Sequence, residues 1–480
     1  MTCPPASFVP RSLDHAIQII AEQAATIAEQ AATIAAQAAT IRALEERLAK
    51  LEARMTQNSS NSSKPPSTDN PFKRPPPKSP TGRKPGGQAG HPGHHRKMAT
   101  PTHHVSVTAA RCAHCGVELP PDSVIGESWT HQVADVVFQP KVTQFEMKKH
   151  RCVACRKVTR ADLPAGTTGA FGSDLEAIIA TLTVRFHMSR LDVVELCRTL
   201  FGITISVGSV QATCERMSAS VASTVQAIAD HFASAAVAHA DETGWYVRGK
   251  LVWMWAALTE QAEYFRVDER RNTEAMDKLL GDFVGLLHSD RWKPYEAFPP
   301  HLRQLCHAHL RRDIQALIDG GGAGHIIGEQ LMALSNTMFK DWHAFCQDEI
   351  GYDEFARRMA PTKAAWKTLA EAADTTTTGK ARALGRSMLK LWPALWHFVD
   401  LEGVVPTNNE QERALRLAVR IRKNSYGSTS ETGALFVTRI LSILGTARRQ
   451  GVLLLDWLKN ARHAFRHQLD PPQLLAPQTG

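Results

Sequence analysis

Two apolar segments of the sequence each end in an aspartate. Asp241 follows the run Val237–Ala240, and Asp290 follows the run Val284–Ser289. If the two runs are neighbouring strands of one sheet, their carboxylates lie close together, and like charges at short range are costly unless a cation lies between them. Mg²⁺ takes oxygen ligands, commonly one or two carboxylates with waters and substrate phosphates. The pattern therefore indicates a divalent-metal site, although either aspartate alone would be an ordinary strand-end turn residue.

A third acid, Glu412, lies in the first turn of a predicted helix that Asn408 or Asn409 can cap. Five basic residues then fall within eleven positions, a density typical of a phosphate-binding surface: Arg413, Arg416, Arg420, Arg422 and Lys423. Glu410 is a rival for the third position. On a helix that turns ~100° per residue it faces about 160° away from Glu412, so only one of the two can meet the aspartates.

The hydrophobic pattern around these acids predicts a mixed α/β core. Ala235–Ala240, Leu251–Leu258 and Ala262–Val267 predict three consecutive strands of an antiparallel meander. Asn272–Phe283 then predicts a helix, and Val284–Asp290 predicts a buried strand. Two strands of this sheet would each carry an aspartate at one end.

The segment Leu305–Asp313 predicts a strand that enters a helix. On a strand, His307 and His309 would share one face, because they are two residues apart. We expect His309, Arg311 and Arg312 to line the cleft beside the acids, where cationic donors stabilise a phosphoryl-transfer transition state. His307 is expected to be packed.

The helical periodicity of residues 314–400 predicts an all-helical insertion. The segment is rich in Ala, Leu, Met, Lys and Trp. It would interrupt a catalytic domain of residues 231–460, and residues 461–480 would form a C-terminal tail.

A seven-residue repeat dominates residues 1–57. Ile20, Ile27, Ile34 and Ile41 recur at that spacing, and a strict heptad predicts a left-handed coiled coil through which the chain forms a homo-oligomer. Glutamine and alanine fill much of the seam, so a single solvated helix is the alternative.

Residues 58–104 form a predicted disordered arm rich in Pro, Gly and Ser. Between Lys64 and Lys97 there are eight Lys or Arg residues and one acidic residue. Such an arm suits the phosphate backbone or the minor groove of DNA, with Lys64, Arg83 and Lys84 as candidate contacts. The alternative is a soluble linker.

Two CxxC pairs lie within residues 105–165, Cys112/Cys115 and Cys152/Cys155. Two such pairs predict one tetrahedral Cys₄ site for a structural Zn²⁺. The stretch Thr130–Phe145 between them alternates like a strand. A redox dithiol would need only one pair.

Residues 166–230 have the pattern of a helical DNA-binding region. Leu175–Phe186, Leu191–Phe201 and Val207–Met217 are apolar at helical spacing, and Ser206 is a plausible N-cap. A helix, a glycine-containing turn and a second helix are compatible with a helix-turn-helix DNA reader, and equally with a small bundle.

Composition limits the class of protein. The net charge of +9 favours a polyanionic partner. No apolar run reaches the roughly 18 residues that a membrane span needs, and no signal pattern is present, so we expect a cytoplasmic, nucleoid-associated protein without a membrane partner.

In their order along the chain, these motifs resemble the TnpC-type transposases of the insertion sequence 66 family. The resemblance lies in Asp241-Glu242-Thr243, Ser289-Asp290, Cys306-His307-Ala308-His309-Leu310-Arg311-Arg312, Asn408-Asn409-x-x-Glu412-Arg413-x-x-Arg416 and Arg422-Lys423-Asn424. The Ser/Asn-rich leader and the Cys₄ module are similar to that family as well. One departure follows Asp290, where Arg291-Trp292 replaces a Gly-Tyr type sequence.

The resemblance implies a ribonuclease-H-like core whose catalytic triad is Asp241, Asp290 and Glu412. It implies a DDE transposase that binds insertion-sequence ends and uses two Mg²⁺ ions, or Mn²⁺, to cleave double-stranded DNA and join it to a target. Small accessory proteins of the same element are implied partners. The alternatives are a zinc-containing DNA-binding regulator and a junction nuclease without strand transfer.

Overall fold

The computed structural model of the chain describes residues 12–55, 98–126, 129–167, 169–376 and 379–475. Those residues form two units. One unit holds the described residues of 12–55, 147–194 and 206–475, and the other holds those of 98–146 and 195–205. The candidate DNA contacts Lys64, Arg83 and Lys84 lie outside the described residues.

The N-terminal segment Leu13–Met55 is a single helix of 43 residues, α1. Alanine, glutamine and glutamate dominate it, and all three are good helix formers. Its heptad isoleucines are exposed, Ile20 at 65% and Ile41 at 55%. The predicted helix is confirmed, whereas its pairing with a second copy stays a prediction. Within the described parts of the chain, no helix combines the length and the apolar character that crossing a membrane requires.

A short hairpin carries the second cysteine pair. Strands β1 (Lys149–Arg151) and β2 (Val158–Arg160) pair antiparallel around it. The strand expected over Thr130–Phe145 is wrong, since the described residues there contain no strand. Alternation of apolar residues makes a strand only where a partner backbone is available, and here Val133, Val137 and their neighbours remain exposed.

The next segment is helical, as predicted. It contains α2 (Ser173–Arg185), α3 (Arg190–Phe201), α4 (Val207–Ser220) and α5 (Ala222–His231). Ser206 caps α4, because its Oγ accepts a hydrogen bond from the Ser209 N–H at 3.1 Å. Gly202, with φ +64°, makes the turn before it. A DNA-reading role for this turn stays a prediction.

A five-stranded mixed sheet follows. It contains β3 (Val237–Val247), β4 (Lys250–Leu258), β5 (Glu263–Asp268), β6 (Leu286–Ser289) and β7 (Arg303–Leu305), in the spatial order β5-β4-β3-β6-β7. The first three strands form the predicted antiparallel meander. Helix α6 (Thr273–Leu280), capped by Asn272, leads across to β6, which runs parallel to β3, and β7 runs parallel to β6.

Strand β3 is longer than predicted and carries Asp241 in its interior, not beyond its end. Its second half persists because it pairs with β4 as far as a two-residue loop. Arg248 and Gly249 close that loop with φ of 50° and 75°, as two-residue hairpin loops favour. The parallel pairing with β6, in contrast, stops at His239↔His288. Asp241 therefore lies where β3 loses its parallel neighbour.

Helices α7 (His307–Asp319), α8 (Ala323–Cys346), α9 (Tyr352–Thr375), α10 (Gly379–Lys390) and α11 (Trp392–Asp400) occupy the segment predicted to be helical. Their core is aromatic. Phe355, Trp366, Trp396 and Phe398 are fully buried there, and their ring centroids lie 5.6 to 6.1 Å apart in neighbouring pairs.

Three helices end the described chain, α12 (Asn409–Ser425), α13 (Glu431–Arg449) and α14 (Leu454–Arg466). Helix α13 covers the edge strand β5. The Phe265 N–H donates to Ser442 Oγ at 2.9 Å, and the Glu263 N–H donates to Thr446 Oγ1 at 3.1 Å. These hydroxyls satisfy edge groups that would otherwise be open to another strand. The boundary predicted at residue 460 falls inside α14.

Candidate active site

The register of β3 and β6 brings two aspartates together. His239 and His288 form the last parallel pair of these strands, and Asp241 and Asp290 each follow that pair by two residues. Adjacent strands lie ~4.8 Å apart, so the two carboxylates are neighbours at the point where the parallel pairing ends. The imidazole rings of the two histidines, one step earlier on the same face, stack with 4.1 Å between centroids.

Asp241 lies among other acids. Burial raises the pKa of Asp241 well above its ordinary value, and the charges of Glu242, Asp290 and Glu412 raise it further. The Glu242 backbone N–H, 2.9 Å from Asp241 Oδ1, acts in the opposite direction. Three carboxylates therefore disfavour the charged form of Asp241, the situation that a bound cation relieves.

Glu412 and Glu410 have different surroundings, and the charge of Glu412 is among those that act on Asp241. Glu412 Oε1 lies 3.7 Å from His309 Nε2 and 3.5 Å from Arg312 Nη2. Within the described residues that buried oxygen has no hydrogen-bond partner. Glu410 is 47% exposed and pairs with Arg449 at 2.8 Å. Both acids keep the opposed directions expected on one helix, and the geometry favours Glu412 as the third acid.

Backbone and buried charge hold Asp290 in place. The Trp292 N–H donates to Asp290 Oδ1 at 2.8 Å. Arg303 donates from Nη2 to the Asp290 carbonyl oxygen at 3.0 Å and is fully buried. Burial lowers the pKa of Arg303 to about 10, although the charge of Asp290 opposes that shift. Sequence reasoning missed Arg303, because an arginine in a three-residue strand gives no sign of burial.

The charge of Glu242, another acid next to the site, is balanced by an arginine and stabilised by a tyrosine hydroxyl. Glu242 Oε1 accepts from Arg271 Nε at 2.7 Å and its Oε2 accepts from the Tyr295 hydroxyl at 2.7 Å. Burial, followed by the charge of Asp290, raises the pKa of Glu242, and Arg271 lowers it. The Arg271 guanidinium lies over the rings of Trp253 and Trp292, 4.9 and 4.1 Å from their centroids. Glu242 therefore has its partners and supports the wall of the site.

Only some of the residues of 307–312 that were predicted to line the cleft lie beside the acids. His307 and His309 lie on the first turn of α7, not on a strand, so they point in different directions and the expectation of a shared face is wrong. His309 and Arg312 lie beside Glu412, whereas Arg311 donates to Ser335 Oγ at 2.7 Å on α8 and does not reach the cleft. His307 is buried among the aromatic rings of the insertion, as expected.

Four of the five basic residues predicted on α12 are exposed: Arg413, Arg416, Arg420 and Lys423. Arg422 is not free for DNA, because it is half-buried and donates to the Thr243 hydroxyl and the Gly244 carbonyl. Arg185 on α2 and Arg448 on α13 also lie near this face. The sequence did not predict them, because they are far from α12 along the chain. Burial lowers the pKa of Arg448, and the charges of Arg185 and Arg420 lower it further.

Each cysteine pair adopts the same turn. The Cys112 N–H donates to the Val117 carbonyl and the Cys152 N–H to the Lys157 carbonyl, both at 2.8 Å. The residue after each second cysteine is left-handed, Gly116 at φ +77° and Arg156 at φ +60°. Backbone N–H groups within each turn lower the pKa of the first cysteine of the pair, which favours its thiolate.

The second cysteine of each pair, Cys115 or Cys155, contributes to that shift. The Cys115 thiol and backbone both lower the pKa of Cys112, and the Cys155 backbone and thiol do the same for Cys152. Cys115 and Cys155 are themselves exposed free thiols. Each turn therefore presents two adjacent sulfur atoms, as a CxxC metal knuckle requires.

The predicted zinc ligands are four cysteines in two pairs: Cys112, Cys115, Cys152 and Cys155. The described residues contain no group of three or more His, Cys, Asp or Glu positioned to hold a metal ion. The first pair belongs to the second unit of the fold and the second pair to the first unit. Thiolates repel one another, and the bound ion itself holds such ligands together. The single Cys₄ site and its Zn²⁺ stay predictions.

The donor chemistry of both sites still suits the ions that the sequence predicts. Asp241, Asp290 and Glu412 offer carboxylate oxygens, which suit Mg²⁺, and Glu412 Oε1 is a buried acceptor to which no group in the described part of the chain donates. The cysteine thiolates suit Zn²⁺. Mg²⁺, like Zn²⁺, stays a prediction.

Comparison with known proteins places this arrangement in a family. An uncharacterized protein of Sinorhizobium fredii, y4hP, is 23% identical over 375 residues, which cover 70% of this chain and 67% of the relative. A second uncharacterized protein of that organism, y4qI, is 26% identical over 236 residues, 43% of this chain and 42% of the relative. Residues 14–97 match a family of unknown function. Residues 168–435, more than half of the chain, match the family described as "Transposase IS66 family", and the chain therefore belongs to the IS66 family of transposases.

Proposed function

We propose that this transposase cleaves the ends of its insertion sequence and joins them to target DNA, with Asp241, Asp290 and Glu412 as its catalytic acids. The observation that supports the proposal is the register of β3 and β6, whose last pair, His239↔His288, is followed on each strand two residues later by an aspartate. The influence of Glu412 on the pKa of Asp241 adds the third acid. Neighbouring carboxylates that raise the pKa of Asp241 are costly to the fold, and such perturbed groups cluster at functional sites.

The sheet supports a ribonuclease-H-like core. In sheet numbering its strands follow the order 3-2-1-4-5, with three antiparallel strands and two further parallel ones. Asp241 lies on the first of these strands, Asp290 directly after the fourth, and Glu412 on the later helix α12. The resemblance implied this distribution for the triad.

We assign Mg²⁺ from the oxygen donors and from the repulsion among the three acids. When bound, two such ions supply a nucleophile at neutral pH and neutralise the charge that develops on the transferred phosphoryl group. Mn²⁺ has the same ligand preference and can replace Mg²⁺ in an assay.

The chain itself contributes position and charge. His309 and Arg312, beside Glu412, are placed to donate to a phosphate oxygen near the acids. The exposed basic face of α12 offers Arg413, Arg416 and Arg420 to the phosphate backbone of DNA. No covalent link between protein and DNA is required.

The remaining parts of the proposal concern assembly and DNA binding. The exposed heptad face of α1 supports a homo-oligomer. DNA binding by the basic arm and by the turn before α4, and accessory proteins of the same element, belong to the proposal as well. A structural Zn²⁺ would draw the two knuckles together through four thiolates: Cys112, Cys115, Cys152 and Cys155.

The test is a cleavage assay on DNA carrying the terminal repeats of the element. Asp241→Asn and Glu412→Gln are expected to lower cleavage by at least about 10³-fold, because each removes a carboxylate that acts in the reaction, and to leave binding of the same DNA unchanged. Glu410→Gln is the matched control, with cleavage close to that of the wild type.

Other outcomes separate the alternatives. Cleavage by Asp241→Asn would show that the triad is misassigned. Binding without cleavage by the wild type with Mg²⁺ or Mn²⁺ would indicate a regulator. Cleavage of branched DNA without joining of a pre-cut end to a target would indicate a junction nuclease.

A further inference from the structure

One buried amide connects the elements that carry the catalytic acids. Asn408, which is 1% exposed, precedes α12 and does not cap it with its side chain. Its Nδ2 donates to the Ala240 carbonyl oxygen at 3.0 Å, and its Oδ1 lies 2.8 Å from His239 Nδ1. The amide group therefore binds two consecutive positions of β3, directly before Asp241.

The backbone of Asn408 makes two further links. Its N–H donates to the Cys306 thiol sulfur at 3.1 Å, at the residue where β7 passes into α7. Its carbonyl accepts the Glu412 N–H at 3.1 Å, the first bond of the helical turn that carries Glu412. Asn408 thus contacts the strand of the first acid, the helix of the third acid, and the start of the helix that bears His309 and Arg312.

Only an asparagine of this length satisfies both side-chain partners. The Ala240 carbonyl requires a donor, and the other end of the amide must then accept from the imidazole, which assigns the proton of His239 to Nδ1. Aspartate has no donor for the carbonyl when it is ionised. An apolar residue would leave a buried carbonyl and a buried imidazole without partners.

We propose that Asn408 is the positioning residue that holds Glu412 against Asp241 and so sets the affinity of the three acids for a divalent ion. The role of the acids rests on the proposed function; the role of Asn408 concerns ion binding and is measurable without DNA. Residues that support the ligands of a metal typically affect its affinity by 10- to 100-fold when replaced.

The experiment measures Mn²⁺ binding to the full chain by electron paramagnetic resonance and by calorimetry. Asn408→Ala is expected to raise the dissociation constant by about tenfold. His239→Phe, which keeps the stacked ring and removes one hydrogen bond, should give a smaller increase. Asn409→Ala, the same change at the exposed neighbouring residue, should bind Mn²⁺ as the wild type does.

Two further measurements separate positioning from a general loss of structure. In Asn408→Ala, hydrogen exchange of the α12 first-turn amides should be faster, while exchange in the insertion helices is unchanged. In a Glu412→Gln background, Asn408→Ala should weaken Mn²⁺ binding no further, because the ligand that it positions is already lost.

The proposal is overturned if Asn408→Ala binds Mn²⁺ like the wild type, or if its effect is equally large in the Glu412→Gln background. Exchange that is faster throughout the chain would also overturn it, because Asn408 would then be structural only. A wild type that binds Mn²⁺ with the expected dependence on Asn408 but does not cleave DNA would contradict the proposed function and leave the role of Asn408 intact.

Discussion

A buried carboxylate and a half-buried one have opposite surroundings in this molecule. Glu176 on α2 is 1% exposed and meets three arginines from α4 and α14: Arg216, Arg462 and Arg466. Their remaining donors bond to hydroxyl and carbonyl oxygens nearby, for example Arg462 to Ser220 Oγ at 3.0 Å. Asp241 on β3 instead lies near three further acids, and burial, followed by the charges of those acids, raises its pKa.

The different surroundings of Glu176 and Asp241 indicate different roles for the two regions. A buried charge that is fully paired holds elements together, and the ion-pair network around Glu176 joins three helices. Among the described residues no cation lies within salt-bridge distance of Asp241, although Glu242 and Glu412 have arginine partners, so the position of Asp241 among acids indicates that a ligand supplies the missing charge. The charged partners of the two carboxylates distinguish the two sites.

Removal of Glu176 should produce the largest loss of stability. Glu176→Ala leaves three guanidinium groups without their carboxylate, and breaking a buried ion pair from one side costs roughly 3–5 kcal/mol of unfolding free energy. Denaturant unfolding followed by circular dichroism measures the effect. Asp174→Ala, an exposed acid two residues earlier on α2, is the control and should leave the midpoint nearly unchanged.

A small effect of Glu176→Ala would mean that the arginines find other partners and that the contrast between the two regions is weaker than the contacts suggest. Glu176→Gln keeps the acceptor oxygen and loses the charge. It should fall between the wild type and Glu176→Ala.

Another buried ionisable group uses neither a partner charge nor a ligand. His307 is fully buried between Trp366, Trp396 and Phe398, with Nε2 2.8 Å from the Leu395 carbonyl. Burial lowers its pKa from 6.5 to about 4, so the folded chain holds it neutral.

The pKa of His307 predicts a loss of stability in acid. Between pH 6.5 and pH 4, His307 is protonated in the unfolded chain but not in the folded chain. The contribution of neutral His307 to the unfolding free energy is therefore fully present above pH 6.5 and falls as pH is lowered through that range. The contribution is about 3 kcal/mol for a shift of this size. Unfolding free energies measured from pH 7 to pH 4 should fall less steeply for His307→Leu than for the wild type. His301→Leu, at an exposed histidine, should keep the wild-type slope.

Several elements could be predicted because local pattern decides them. The strands of the meander, the strand before Asp290, the helices from α2 to α4 and the Ser206 cap follow from periodicity and capping residues. The opposed directions of Glu410 and Glu412 follow from helix geometry. These features depend on residues a few positions apart.

The errors concern partners that are distant in sequence. Thr130–Phe145 alternates without a partner strand, and β3 extends past Asp241 because β4 pairs with it. Arg422 and Arg311 have the composition of DNA or cleft contacts, but tertiary neighbours bind them. Burial of Arg303, and the contacts of Asn408 with β3, depend on the same long-range packing.

The cysteine pairs show the same division between local and distant partners. The turn that brings Cys112 to Cys115, and the matching turn at Cys152 and Cys155, follow from a spacing of three residues. A single site formed from both turns depends on residues about forty positions apart, so no local pattern decides it and it stays a prediction.

The smallest expected change in stability is that of Asp241→Asn, and it is the most direct test of the difference between the surroundings of Asp241 and Glu176. Asp241→Asn removes one of several neighbouring like charges, so without divalent ions it should raise the unfolding free energy by about 1 kcal/mol. Mg²⁺ should raise the melting temperature of the wild type and leave that of the variant unchanged, because ligand binding stabilises only a chain that binds the ligand. The conservative change at the paired site, Glu176→Gln, should do the opposite and lower the melting temperature whether Mg²⁺ is present or absent. If Asp241→Asn is destabilising without Mg²⁺, then cations of the chain already compensate Asp241, and its surroundings do not differ in kind from those of Glu176.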